Sequence, residues 1–184
     1  MKHLKISLTA FCVVICIFLT AAACGSQAGR NTFKGMEAVD IQGNTVTDEV
    51  FKNTELTMVN IWGTFCGPCL KEMPDLAELA DEYDGRMQII GMVIDVGYKD
   101  GKVIPENAAE TMAQIIEQTG ADYLHLLTTE SLSELYLSKA NTVPETLFVD
   151  STGAILGKSY IGSKDKAEWK AVIEEKLKEV ESGK

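Results

Sequence analysis

A chain of 184 residues with 46 % apolar side chains suits one domain with its own core plus a short appendage. Its 17 basic and 27 acidic residues give a net charge of −10, which argues against nucleic acid as a partner and against an electrostatic grip on anionic lipid. Three of its five cysteines lie at or before position 24, so only Cys66 and Cys69 are left inside a folded domain, and the core must hold the fold without a disulfide framework.

Lys2, His3 and Lys5 precede an apolar run from Ile6 to Leu19, the layout of a signal peptide. A membrane-spanning helix is the alternative, but spanning takes about 20 apolar residues and this run is shorter. Cys12 and Cys16 sit in the run as small hydrophobes. Ala21-Ala22-Ala23-Cys24 resembles a lipobox, which implies cleavage before Cys24 and a diacylglyceryl thioether on its sulfur. Ordinary signal-peptidase cleavage at the Ala-rich stretch would leave that thiol free. Removing residues 1–23 takes two lysines and no acid, so the mature charge is about −12 and membrane attachment would have to come from the lipid. Residues 1–23 therefore read as leader, 24–32 as a Gly/Ser/Gln/Ala-rich tether and 33–184 as the domain.

Within the domain, Met36 to Ile41 and Thr45 to Thr47 flank Gln42-Gly43-Asn44, a hairpin signal. Leu56 to Trp62 is apolar on both faces, as in a central strand covered on each side. Met73, Leu76, Ala77, Ala80 and Tyr83 give a helix over Leu70 to Tyr83, which Pro74 should kink and Asp84-Gly85 should end. Met87 to Val96 reads as a second buried strand and Gly97 to Gly101 as a loop. Asn107 with Glu110 predicts a capping box opening a helix to Gln118, stopped by Gly120. Tyr123 to Leu127 is a strand in which His125, between two leucines, reads as structural. Ser131 with Glu134 opens a short helix through Leu137. Pro144 should stand at the first residue or the edge of the strand that follows it. Ser151-Thr152-Gly153 turns the chain into a returning strand over Ala154 to Tyr160. Trp169, Val172, Ile173, Leu177 and Val180 line the last helix. This order gives an α/β domain: a mixed central sheet with helices on both faces.

The chemistry centres on Trp62-Gly63-Thr64-Phe65-Cys66-Gly67-Pro68-Cys69, where a buried strand turns into a helix. Cysteines at a helix N-terminus meet unpaired N–H groups and the positive end of the dipole, and both favour thiolate. Spacing i, i+3 puts the two sulfurs on one face of a turn. A zinc site would need two further ligands, and His125 is the one histidine outside the leader, so no metal is expected. A static disulfide closing a two-residue loop would restrain the unfolded chain little. A redox-active dithiol is the reading that remains, with Cys66 nearest solvent as nucleophile and Cys69 as the buried resolving thiol.

Trp-x-x-x-Cys-Gly-Pro-Cys after an apolar strand resembles the thioredoxin superfamily, and the continuation Leu70-Lys71-Glu72-Met73-Pro74 resembles its extracytoplasmic TlpA/ResA-type branch, over roughly residues 33–181. The resemblance implies a thioredoxin-like fold with an N-terminal β-hairpin and an inserted helix. It implies that Pro144 follows a cis bond and packs against the dithiol. It assigns Glu72 as the base for Cys69, because Asn60 stands where thioredoxins carry a buried Asp. The backbone of Val143 and Pro144 is expected to pair with an extended substrate, while Trp62 and Phe65 flank the turn, packing there and bordering the bound segment. No cofactor beyond the Cys66–Cys69 disulfide is implied. The implied partners are exported disulfide proteins, such as apocytochrome c or a methionine sulfoxide reductase, and a membrane electron donor of the CcdA/DsbD kind. The implied location is extracytoplasmic, held to the membrane by lipid. A peroxiredoxin-like enzyme and a non-enzymatic surface lipoprotein are the alternatives. The first is disfavoured because Cys66 lacks an upstream proline and has Cys69 too close.

Overall fold

The computed structural model describes residues 32–183; the leader, Cys24 and nearly all of the tether lie outside them. The strands are β1 (Glu37–Asp40), β2 (Thr45–Thr47), β3 (Leu56–Trp62), β4 (Met87–Lys99), β5 (Lys102–Ile104), β6 (Leu124–Thr128), β7 (Glu145–Asp150) and β8 (Tyr160–Ile161). The helices are α1 (Gly67–Glu82), α2 (Ala108–Thr119), α3 (Glu130–Leu135) and α4 (Lys166–Ser182), with 3-10 turns at Asp48–Asn53 and Leu137–Lys139. The sheet runs β2-β1-β6-β4-β3-β7-β8, with β5 paired to β4. Strand β3 is parallel to β4, and β4 to β6; the β1, β7 and β8 pairings are antiparallel. This is the expected thioredoxin-like arrangement, hairpin and inserted helix included.

Every residue of β3 is buried, and the period of two sorts them between two layers. Val59 and Ile61 face one core, shared with Phe33, Phe51 and α3's Leu132. Leu56 and Met58 face the other, under Leu76 and Leu79 of α1 and Trp169 and Ile173 of α4. Asn60 and Trp62 share the parity of Leu56, so an amide and an indole point toward α1 and the dithiol.

Several elements differ from the sequence reading, each for a local reason. The stretch Gly97 to Gly101 is not a loop: β4 runs on to Lys99 and pairs with β5, turning at Asp100 and Gly101, both at positive φ. Tyr98 and Val103 of this ribbon pack against the cluster that holds both cysteines, which offsets their otherwise exposed position. Asn107 makes no capping bond; its backbone is already helical, and the Ala108 N–H donates to the Pro105 carbonyl instead. Thr129, not Ser131, caps α3, accepting from the Leu132 N–H at 3.3 Å, while the Ser131 hydroxyl accepts from the Glu37 N–H. The returning strand shrinks to Tyr160–Ile161 with isolated bridges at Ala154 and Ile155, because Gly157 at φ 74° breaks the extended run. Helix α4 opens on an unforeseen capping box, Asp165 with Glu168.

Candidate active site

Strand β3 delivers the chain to a tight turn, Gly63 to Cys66, closed by the Cys66 N–H donating to the Gly63 carbonyl at 3.0 Å. Cys66 is the N-cap of α1, and its sulfur accepts from the Cys69 N–H at 3.3 Å. Pro68 sits in the first turn, where its missing N–H leaves nothing unsatisfied. The two cysteines are disulfide-bonded, with Cα atoms 5.3 Å apart. Cys66 is 5 % exposed and Cys69 fully buried, so an incoming sulfur meets Cys66. The outer sulfur lies beside the N–H groups of the helix start, and the inner one is covered.

One turn on, Glu72 is only 2 % exposed, so it is no solvated surface carboxylate. Its Oε1 accepts from Asn60 Nδ2 at 3.1 Å; its Oε2 accepts from the Lys164 N–H and from the Trp169 indole N–H, each at 3.2 Å. Burial pushes its pKa above the usual carboxylate range, and the bonds from Trp169, Lys164 and Asn60 counter only part of that. Glu72 lines a cavity of about 210 Å³ together with Lys71, Asp75 and Lys164. Asn60 also donates to the Thr146 hydroxyl at 3.3 Å, which ties Glu72 to strand β7, and its Oδ1 is buried without a partner among the described residues.

The Val143–Pro144 bond is cis, and Val143 packs against the cluster containing Cys66 and Cys69. The Pro144 carbonyl accepts from the Gly162 N–H at 2.9 Å. A second cis bond, Ile104–Pro105, gave no sequence signal. The flanking aromatics part company. Trp62 is fully buried and packs beneath the turn, presenting no surface to a substrate, whereas Phe65 is 70 % exposed beside Cys66 and packs little. The Trp62 indole N–H donates to His125 Nδ1 at 3.2 Å, so the His125 proton sits on Nε2 and is donated to the Ala121 carbonyl at 2.9 Å. Burial pushes His125 down to about 4, and it stays a neutral packing residue.

Sequence reasoning missed Asp95, Lys164 and Trp169. Asp95 accepts from the Thr64 N–H at 2.9 Å through Oδ1 and from the Thr64 hydroxyl through Oδ2. Its one signal is an acid closing the apolar run of β4. Lys164 and Trp169 reach Glu72 from some 90 residues away in sequence, and no local pattern marks that.

A buried dithiol at a helix N-terminus, beside a cis-proline loop on this sheet, defines a thioredoxin-like thiol–disulfide oxidoreductase. The chain belongs to the AhpC/TSA family, whose sequence profile matches residues 30–157. It is 31 % identical to a thioredoxin of Staphylococcus saprophyticus, over 40 % of this chain and 93 % of that one. It is also 31 % identical to the thiol:disulfide interchange protein DsbE homolog of Paracoccus denitrificans, over 60 % of this chain and about half, 54 %, of that one. A secreted Mycobacterium tuberculosis disulfide oxidoreductase homologous to E. coli DsbE shares the fold at TM-score 0.57 and 12 % identity, over 74 % of this chain and 92 % of that one.

Proposed function

We propose that this enzyme reduces disulfides in exported proteins outside the cytoplasm, held at the membrane by a lipid on Cys24. The single observation that carries the catalytic part is Glu72: a buried carboxylate one helical turn after Cys69, at the edge of a cavity. The Cys66 thiolate attacks one sulfur of the substrate disulfide, forming a mixed disulfide and expelling the other sulfur as thiolate. Cys69 gives its proton to Glu72 and attacks the Cys66 sulfur. The Cys66–Cys69 bond forms, the substrate's second thiolate leaves, and two electrons have passed to the substrate. A membrane donor of the CcdA/DsbD kind returns two electrons to the enzyme's disulfide. The exposed Phe65 and the Val143 backbone flank the place where an extended substrate would lie, in the manner of strand addition.

The Gly-Pro pair between the cysteines and the likeness to thioredoxins support the reducing direction; the leader, the Ala-rich segment before Cys24 and the secreted structural relative support the location. Equilibration of the Cys66–Cys69 pair with glutathione measures the direction. A potential near thioredoxin's, about −270 mV, is expected; one near that of the oxidant DsbA, about −120 mV, would reverse the reading.

A further inference from the structure

Asp95 lies where β4 loses register with β6, between Val93 and Gly97. Such irregularities re-aim side chains, and here the carboxylate is turned onto the Gly63–Cys66 turn. Both of its oxygens are spent on one residue, Thr64: one on the backbone N–H at 2.9 Å, the other on the hydroxyl. Thr64 is the first central residue of the turn whose last residue is Cys66. The neighbourhood is tight. A Cβ on Gly63 would stand 3.3 Å from Asp95 Oδ1, closer than ordinary contact, and 2.8 Å from the exposed Phe65 ring, which would have to swing aside.

We propose that Asp95 is a positioning residue for exchange: through Thr64 it clamps the Gly63–Cys66 turn and so fixes where the attacking sulfur points. Cys66 belongs to that turn and to the first turn of α1 at once. A clamp on the turn therefore removes the freedom left to the sulfur once the disulfide opens. Asp95 touches neither sulfur and reaches the chemistry only through the backbone between Thr64 and Cys66. The inference uses exchange chemistry alone and is independent of substrate, direction and anchor.

The test is stopped-flow reaction of the reduced enzyme with 5,5′-dithiobis(2-nitrobenzoate). The Cys66 thiolate bonds one sulfur of the reagent and displaces one thionitrobenzoate; Cys69 then closes the disulfide and displaces the second. Asp95→Ala is expected to slow the first release about tenfold and leave the second near wild type, since sub-ångström misplacement of a reacting atom is enough for such a loss. Asp95→Asn is expected to restore the first release to within about threefold, because its amide oxygen can accept from the Thr64 N–H while its NH₂ donates to the Thr64 hydroxyl. A first release within about twofold of wild type for Asp95→Ala would overturn the clamp. So would Asp95→Asn reacting as slowly as Asp95→Ala, because charge and not hydrogen bonding would then be responsible. If Asp95→Ala does not fold, Thr64→Val decides: it keeps the N–H bond and loses the hydroxyl bond, so about a threefold loss supports the clamp and a wild-type rate overturns it.

Discussion

Glu72 is held by Asn60 of β3, the Lys164 backbone and Trp169 of α4. It stands three positions after Cys69 and four before Leu76, inside the buried stripe of α1, which is the face its local pattern assigns it to. Asn60, a lone amide in an otherwise apolar strand, is the second legible sign, because a polar side chain at a buried central position needs a partner. Its partner in the fold is Glu72. Two readouts follow. As the base for Cys69, Glu72 works only when ionised, so resolution should speed up as pH rises through its raised pKa. Glu72→Gln should leave the Cys66 attack intact, slow resolution by about 10²–10⁴-fold and remove that pH dependence. Folding stability runs the other way. A carboxyl whose folded pKa is raised favours the native state below its unfolded pKa, and that contribution is lost as pH rises through the folded value. Denaturant titrations of Glu72→Gln should lack this loss on the alkaline side of the usual carboxylate range. Equal stopped-flow rates for both steps in the two proteins would reduce Glu72 to a structural carboxylate.

Among the elements, the long apolar strands and the helices with an i, i+3, i+4 repeat were legible, because burial there is dictated by a period. The ends and caps of the short elements were not. Caps at Thr129 and Asp165 and the truncated β8 depend on which hydroxyl or glycine the tertiary fold brings to a given φ, and the sequence offers several equivalent candidates. The β4–β5 ribbon escaped for the same reason: Tyr98 and Val103 find their apolar partners only once the dithiol helix is in place. Packing between strands leaves its own mark at Gly91 on β4. A Cβ there would stand 2.2 Å from His125 Nδ1 on β6 and 3.0 Å from the Trp62 indole nitrogen on β3, so three strands share the space of one absent methyl. Gly91→Ala should cost about 1–3 kcal/mol of stability in urea titrations, as overpacking does. Adding His125→Ala should recover part of it, since residues in contact are non-additive. Full additivity would mean that the strands shift to admit the methyl.

At the scale of the whole molecule, the disulfide sits where the carboxyl end of β3 turns into α1, with the outer cysteine 5 % exposed and the inner one fully covered by the α1–α2 core. The proposed order of attack and resolution rests on that inequality between two cysteines. Cys69 is buried out of a partner's reach, and only a second thiol clears a mixed disulfide quickly. The decisive measurement is therefore trapping in the native host, read on non-reducing gels of membrane and soluble fractions. Cys69→Ala should accumulate disulfide-linked adducts with exported proteins in the membrane fraction, and Cys66→Ala should accumulate few. Adding Cys24→Ala should move the adducts to the soluble fraction without reducing their amount. Adducts that stay with the membrane would mean that residues 6–19, and not a lipid, hold the protein there. Adducts formed by Cys66→Ala and not by Cys69→Ala would contradict the assignment of nucleophile and resolving thiol itself.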